Sequence, residues 1–125
     1  AFRQMPAKTV WEERMKRMKM IKAVVRPEKV SAVLEELAQK GYNAVTRISI
    51  LGRGKQRGLK VGDAYYDEIP KELLCLVVED GSAEEVVSIL LKTAKSGQAG
   101  AYGDGKIFIS HVERAFTISS GKEEL

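Results

Sequence analysis

Apolar and polar positions follow two rhythms along this chain, and the rhythm changes at prolines and glycines. "MIKAVV", Met20 to Val25, reads as a strand. Pro27 then suits the first turn of a helix, where its missing N–H is one of the donors left unpaired in any case. In "PEKVSAVLEELAQKG" the residues Val30, Val33, Leu34 and Leu37 recur at helical spacing, and Gly41 stands where the helix should stop. "YNAVTRISIL", 42–51, has the β-branched character of a second strand. Residues 52–70 show no periodicity, which predicts a long loop with hairpin-like flanks.

The plan then repeats. "ELLCLVVED", 72–80, is apolar on both faces, as a central strand should be. Ser82 and Glu85 form a capping-box pattern at the start of a second helix. Ala83, Val86, Val87, Leu90, Leu91 and Ala94 supply its expected buried face, with Gly97 as its end. "KIFIS" is a fourth strand and "RAFTIS" a candidate short fifth. Two β-α-β units predict an α+β, ferredoxin-like sandwich with both helices on one face of an antiparallel sheet. The other face needs cover, and self-association is the economical solution.

The length, 125 residues, allows one core and little beyond it. The expected division is an N-terminal extension over 1–17, the domain over 18–121 with a loop at 53–69, and a tail over 122–125. The net charge of +4 has a local origin. Residues 1–20 hold six Lys or Arg against two Glu, whereas residues 21–125 hold fifteen of each sign. The domain is neutral, which argues against the broad basic face of a nucleic-acid binder, and few aromatics remain to stack bases. No apolar run approaches the roughly 20 residues needed to cross a bilayer, and the N-terminus lacks the apolar centre of a signal peptide. Cys75, the single cysteine, cannot close an internal disulfide. A reducing cytoplasm is the expected setting.

Two glycine-rich loops carry the candidate chemistry. "LGRGKQRGLK", 51–60, holds three glycines and four cations without an acid. It suits a phosphate grip, a nucleic-acid patch or a solvated hairpin tip. The second loop is "SGQAGAYGDGKIF", 96–108. Gly100 to Lys106 matches G-x-x-x-x-G-K, but Ile107 replaces the Ser or Thr of a P-loop and a strand follows instead of a helix. What survives is the physical content: Gly103 and Gly105 permit close approach of main-chain N–H groups to an anion, and Lys106 adds charge. A tight turn is the competing explanation. His111 is the only histidine, with no Cys, His and carboxylate cluster around it, and no nucleophile–base pair is visible. The chain is not expected to be an enzyme.

In order and spacing, "IKAVVRPEKV", "GRGKQRG" (52–58), "IPK" (69–71) and "GDGKIF" (103–108) resemble the PII signal-transduction proteins over residues 18–121. The run "LGRGKQRGLKVGDAYYDEIPK" is most similar to the nitrogenase-switch (NifI) branch. The resemblance implies a trimer, as a homotrimer or as a mixed oligomer with a paralogue, that binds ATP or ADP between subunits. It implies that Gly103, Asp104, Gly105 and Lys106 hold phosphates, that Gly52, Gly54, Lys55 and Gln56 approach from the neighbouring subunit, and that Val24 and Thr46 lie near base or sugar. Gln56 would help to coordinate Mg2+ together with phosphate and 2-oxoglutarate. The dicarboxylate would be gripped by Lys71, Arg57 and the Gly54–Gly58 main chain, with Arg26 close by. The implied target is dinitrogenase, with an ammonium transporter as the alternative. Thr117 and Ser119 stand where family members commonly place phosphate-binding arginines, so two charge-assisted contacts, each worth about 1.5–3 kcal/mol, are missing. Residues Ala99 to Tyr102 lengthen the second loop, where Tyr102 is a candidate cover for the ligand. Tyr65 and Tyr66 are better explained as hydrophobic anchors, for a partner or for the loop's own folding, than as modification sites.

Overall fold

A computed structural model describes residues 17–53, 60, 61, 64, 65 and 68–125. Its strands are β1 (Met18–Val25), β2 (Thr46–Gly52), β3 (Lys60–Val61), β4 (Ala64–Tyr65), β5 (Ile69–Glu79) and β6 (Gly105–Val112). Helices α1 (Val30–Gln39) and α2 (Ala83–Thr93) are each entered through a 3-10 turn, Pro27–Lys29 and Asp80–Ser82. The main sheet runs β2-β5-β1-β6, every neighbour antiparallel, and β3 pairs with β4 in a separate two-stranded ribbon. This is the expected ferredoxin-like sandwich, with β1 and β5 at its centre.

Register decides which residues meet. Ala23 lies between Leu74 and Ile107, and Ile21 between Leu76 and Ile109, so the odd positions of β1 share one face with the even positions of β5. Ile21, Ala23, Val25, Leu74, Leu76 and Val78 are buried there. From α1 the residues Val30, Val33 and Leu37 pack against them, and from α2 Val86 and Leu90 do so. Burying one such aliphatic side chain contributes about 1.5–3 kcal/mol. On the opposite face Thr46, Ile48, Leu73 and Phe108 carry no helix, and Ile48 and Phe108 are exposed.

The two helix ends differ from one another in chemistry. Helix α1 stops in a Schellman motif: Gly41 N–H donates to Ala38 O and Tyr42 N–H to Leu37 O, with Gly41 at φ +90°. The capping box expected at α2 does not form, since Ser82 makes no side-chain bond to the helix. Instead the Tyr42 hydroxyl donates to Glu85 Oε1 at 2.7 Å. Glu85, expected to cap α2, thus ties the start of that helix to the turn after α1.

Three further expectations are corrected. Leu91 is 61% exposed and Val87 half-buried, whereas Ile89 is buried, because α2 meets the sheet and α1 through Ala83, Val86 and Leu90. Strand β2 begins at Thr46 rather than at residue 42. "RAFTIS" forms no strand of the sheet. It turns back on the chain end through a single bridge, Phe116 to Glu123, with Thr117 N–H donating to Lys122 O and Arg114 paired to Glu123 at 2.9 Å.

Candidate functional site

Antiparallel pairing brings the C-terminal ends of β1 and β2 beside the N-terminal ends of β5 and β6. Val24 sits opposite Lys106 and Ile50 opposite Lys71, all on the helix-free face. A cleft of about 600 Å³ opens there, lined among others by Val24, Gly52, Lys71, Gly103, Gly105 and Lys106. Six of the expected site residues are therefore gathered on one surface. Ile50, Arg53, Ile69, Phe108 and Tyr102 complete the lining, and of these only Tyr102 was singled out from the sequence, as a candidate cover. Strand alternation alone was enough to place Ile50 and Phe108 beside Lys71 and Lys106.

Lys71 is the unusual member. It is only 8% exposed, and among the described residues no carboxylate lies within ion-pair distance of its ammonium. Its Nζ donates to the Gly103 carbonyl, crossing the cleft to the second glycine loop. Burial pulls its pKa below the ordinary 10.5, and the positive charge of Arg26 adds to that, opposed by the smaller effects of Glu28 and Asp104. An incoming anion would oppose both effects by favouring the charged form. Its neighbour Glu72 faces the helices and is satisfied, accepting from Ser49 Oγ at 2.9 Å and pairing with Arg47 at 3.2 Å.

The second loop is organised by one carboxylate. Asp104 Oδ2 accepts from Ser96 N–H at 3.0 Å and Ala101 N–H at 2.9 Å, and Oδ1 accepts from Arg26 Nε at 3.0 Å. Hydrogen bonds from the hydroxyl and amide of Ser96 come first in holding Asp104 far below the usual carboxylate range, against a smaller opposing effect of burial. Arg26 Nη2 also donates to Tyr102 O at 2.8 Å. Arg26 and Asp104, both expected at ligands, thus spend their polar groups on bracing residues 96–104. Gly105 has a steric reason to be glycine. At φ +117°, a Cβ there would stand 1.7 Å from Val24 O on the paired strand. The chain enters β6 at this residue, so a strand follows the P-loop-like motif.

Thr46 stands exposed at the far end of β2, opposite Cys75, and does not line the cleft. Thr117 and Ser119 belong to the C-terminal turn. Gly54, Lys55, Gln56, Arg57, Gly58 and Tyr66 lie outside the described residues, as do residues 1–16 of the expected extension. His111 receives a contact from Lys19 Nζ at 3.2 Å on Nδ1. Among the described residues no cluster of His, Cys, Asp or Glu gathers to hold a metal, and no helix is long and apolar enough to cross a membrane.

Comparison with known proteins decides the family. The family model described as nitrogen regulatory protein P-II matches residues 18–122. The chain belongs to the PII family. This PII chain is 52% identical over 101 residues to "Nitrogen fixation nifHD region glnB-like protein 1" of Methanococcus maripaludis, covering 81% of this chain and 93% of that protein. It is 48% identical over 108 residues to the protein of the same description from Methanothermobacter marburgensis, covering 86% and 100%. A "GlnB-like protein 2" of Methanosarcina barkeri is 33% identical, covering 85% and 95%. These relatives put the PII chain in the nitrogenase-switch (NifI) branch, among nitrogen regulatory proteins. Its fold matches that of a solved structure, Arabidopsis thaliana PII bound to citrate, with a TM-score of 0.70, 24% identity and 86% of each chain covered.

Proposed function

We propose that this PII chain is a non-enzymatic sensor of adenine nucleotide and 2-oxoglutarate that controls dinitrogenase by direct binding through the 53–69 loop. The observation that carries the reading is Lys71, a buried ammonium facing a cleft, bonded to a carbonyl and, among the described residues, in no ion pair with a carboxylate. A carboxylate there would replace a hydrogen bond to a neutral carbonyl with an ion pair, in which both partners are charged. Lys106 and the main chain of Gly103 and Gly105 would take the nucleotide phosphates, with Val24 near base or sugar. Gly52 and the Gly54–Gly58 segment would complete the site from a neighbouring subunit in a trimer, whether of this chain alone or mixed with a paralogue. The exposed apolar positions of the helix-free face support such an assembly. The proposed role of Thr46 likewise depends on a cleft that continues across a subunit boundary. Two anions side by side repel, and Mg2+ held with the help of Gln56 would offset that repulsion. The domain would span 18–121, in a cytoplasmic setting.

Ligands that favour one arrangement of the 53–69 loop shift its population, with couplings of typically about 1–3 kcal/mol. The names of the relatives, drawn from nitrogen-fixation regions, favour dinitrogenase over an ammonium transporter as target.

Calorimetric titration of MgATP with and without 2-oxoglutarate tests the reading. Each ligand should tighten the other, by the same factor. Lys71→Ala should weaken 2-oxoglutarate at least about tenfold, which is 1.4 kcal/mol. Unchanged binding in that variant would remove Lys71 from the site. Capture from nitrogen-fixing cells should bring down dinitrogenase, and recovery of a membrane channel instead would transfer the function to transport.

A further inference from the structure

We infer that Tyr102 is a ligand-contacting wall of the cleft, held in place by the Arg26–Asp104 brace, and that it acts on the anion bound at Lys71. The inference rests on the anion-cleft reading above and adds a residue to it.

Three consecutive residues have their main chain tied down. Ala101 N–H donates to Asp104 Oδ2 and Ala101 O accepts from Asp104 N–H at 3.2 Å. Tyr102 O accepts from Arg26, and Gly103 O accepts from Lys71. Tyr102 as a residue, by contrast, is 73% exposed, and it borders the same cleft as Lys71 and Lys106. A large aromatic displayed to water on a braced loop gains nothing for the fold. Beside two ammonium groups it has two uses. The ring packs against the carbon skeleton of an anion and excludes water, which strengthens the ion pairs beneath it. The phenolic hydroxyl supplies one further donor.

Proximity selects the ligand. Lys71 bonds the carbonyl of the residue that follows Tyr102, so an anion that displaces this contact arrives next to the ring. A dicarboxylate with an apolar middle fits that position, since its charged end meets Lys71 and its methylenes meet the ring. The main chain of Gly105 and the side chain of Lys106 lie beyond, at the start of β6.

The test titrates the full chain, as wild type, Tyr102→Ala and Tyr102→Phe, with MgATP and then with 2-oxoglutarate. Tyr102→Ala should weaken 2-oxoglutarate about tenfold, leave MgATP within about twofold, and leave the thermal midpoint unchanged because the ring is exposed. Tyr102→Phe should recover most of the affinity, since the ring does most of the covering. Wild-type affinity for 2-oxoglutarate in Tyr102→Ala overturns the inference and leaves the anion cleft standing. Equal weakening of both ligands together with a lowered midpoint also overturns it, by making Tyr102 a structural residue. A wild-type chain that binds neither ligand removes the cleft reading and the inference with it.

Discussion

The two β-α-β units share a plan and differ in how each helix hands over to its next strand. After α1 the connection, residues 40–45, is closed by main-chain bonds to Leu37 and Ala38 and leads directly into β2. After α2 the connection, residues 94–104, is about twice as long and is organised from within by the carboxylate of Asp104. The first needs one glycine in the left-handed region, Gly41, whereas the second has three, Gly97, Gly100 and Gly103, before Gly105 enters the strand. A turn whose main-chain bonds go to its own helix, and whose tyrosine is tied to the other helix, has little left to offer a ligand. A loop built around a charged side chain and reached by Arg26 and Lys71 from other elements is tied to the cleft on both sides.

Substitutions at these two connections should separate in size. The largest effect is expected at the end of the second. Gly105→Ala places a methyl group against Val24 O where no backbone shift is available without breaking the β1–β6 pairing. It should cost about 3 kcal/mol or more in urea denaturation. Asp104→Asn comes next. It removes the charge that holds Ser96, Ala101 and Arg26, at a cost of about 2 kcal/mol at neutral pH. The pH dependence sharpens the point. Because the folded Asp104 lies below its ordinary value of 3.8, its contribution is complete well above that value. It is lost as pH falls from there through the depressed folded value. The difference between wild type and Asp104→Asn should therefore shrink on acidification below about pH 4, and a constant difference would show that the bracing is not carried by the charge. Gly41→Ala, in the first connection, should be the mildest. Nothing lies within 4 Å of the added Cβ, so only the left-handed conformation is penalised, at about 1–2 kcal/mol. If Gly41→Ala proved as damaging as Gly105→Ala, the contrast between the two connections would collapse.

The frame was legible because it rests on patterns that local chemistry enforces. Gly41 could be read as a helix stop since the αL cap has few alternatives, and β5 could be placed centrally because its two faces are both apolar. Ser82 and Glu85 misled because a capping box is a choice between partners. The phenol of Tyr42 takes the Glu85 carboxylate, and only the packed fold brings it there. Leu91 misled for a related reason. Helical spacing gives a stripe, but the width of the buried part is set by what lies opposite, and Leu91 falls outside it. At the site, the glycines and lysines were visible as a motif. The use of Arg26 and Asp104 as a brace was not, because it depends on a contact across 78 positions of sequence.

Gly105 bears on how such motifs are to be weighed. Its lack of a side chain answers to the strand beside it, whatever the cleft holds. A chain of this fold that had surrendered every phosphate contact would still retain glycine there, and part of "GDGK" would outlive the binding it is taken to signal. Attempts to separate folding from ligand recognition should leave that position alone and work on Lys106, whose side chain is exposed at the mouth of the cleft and carries none of the strand pairing.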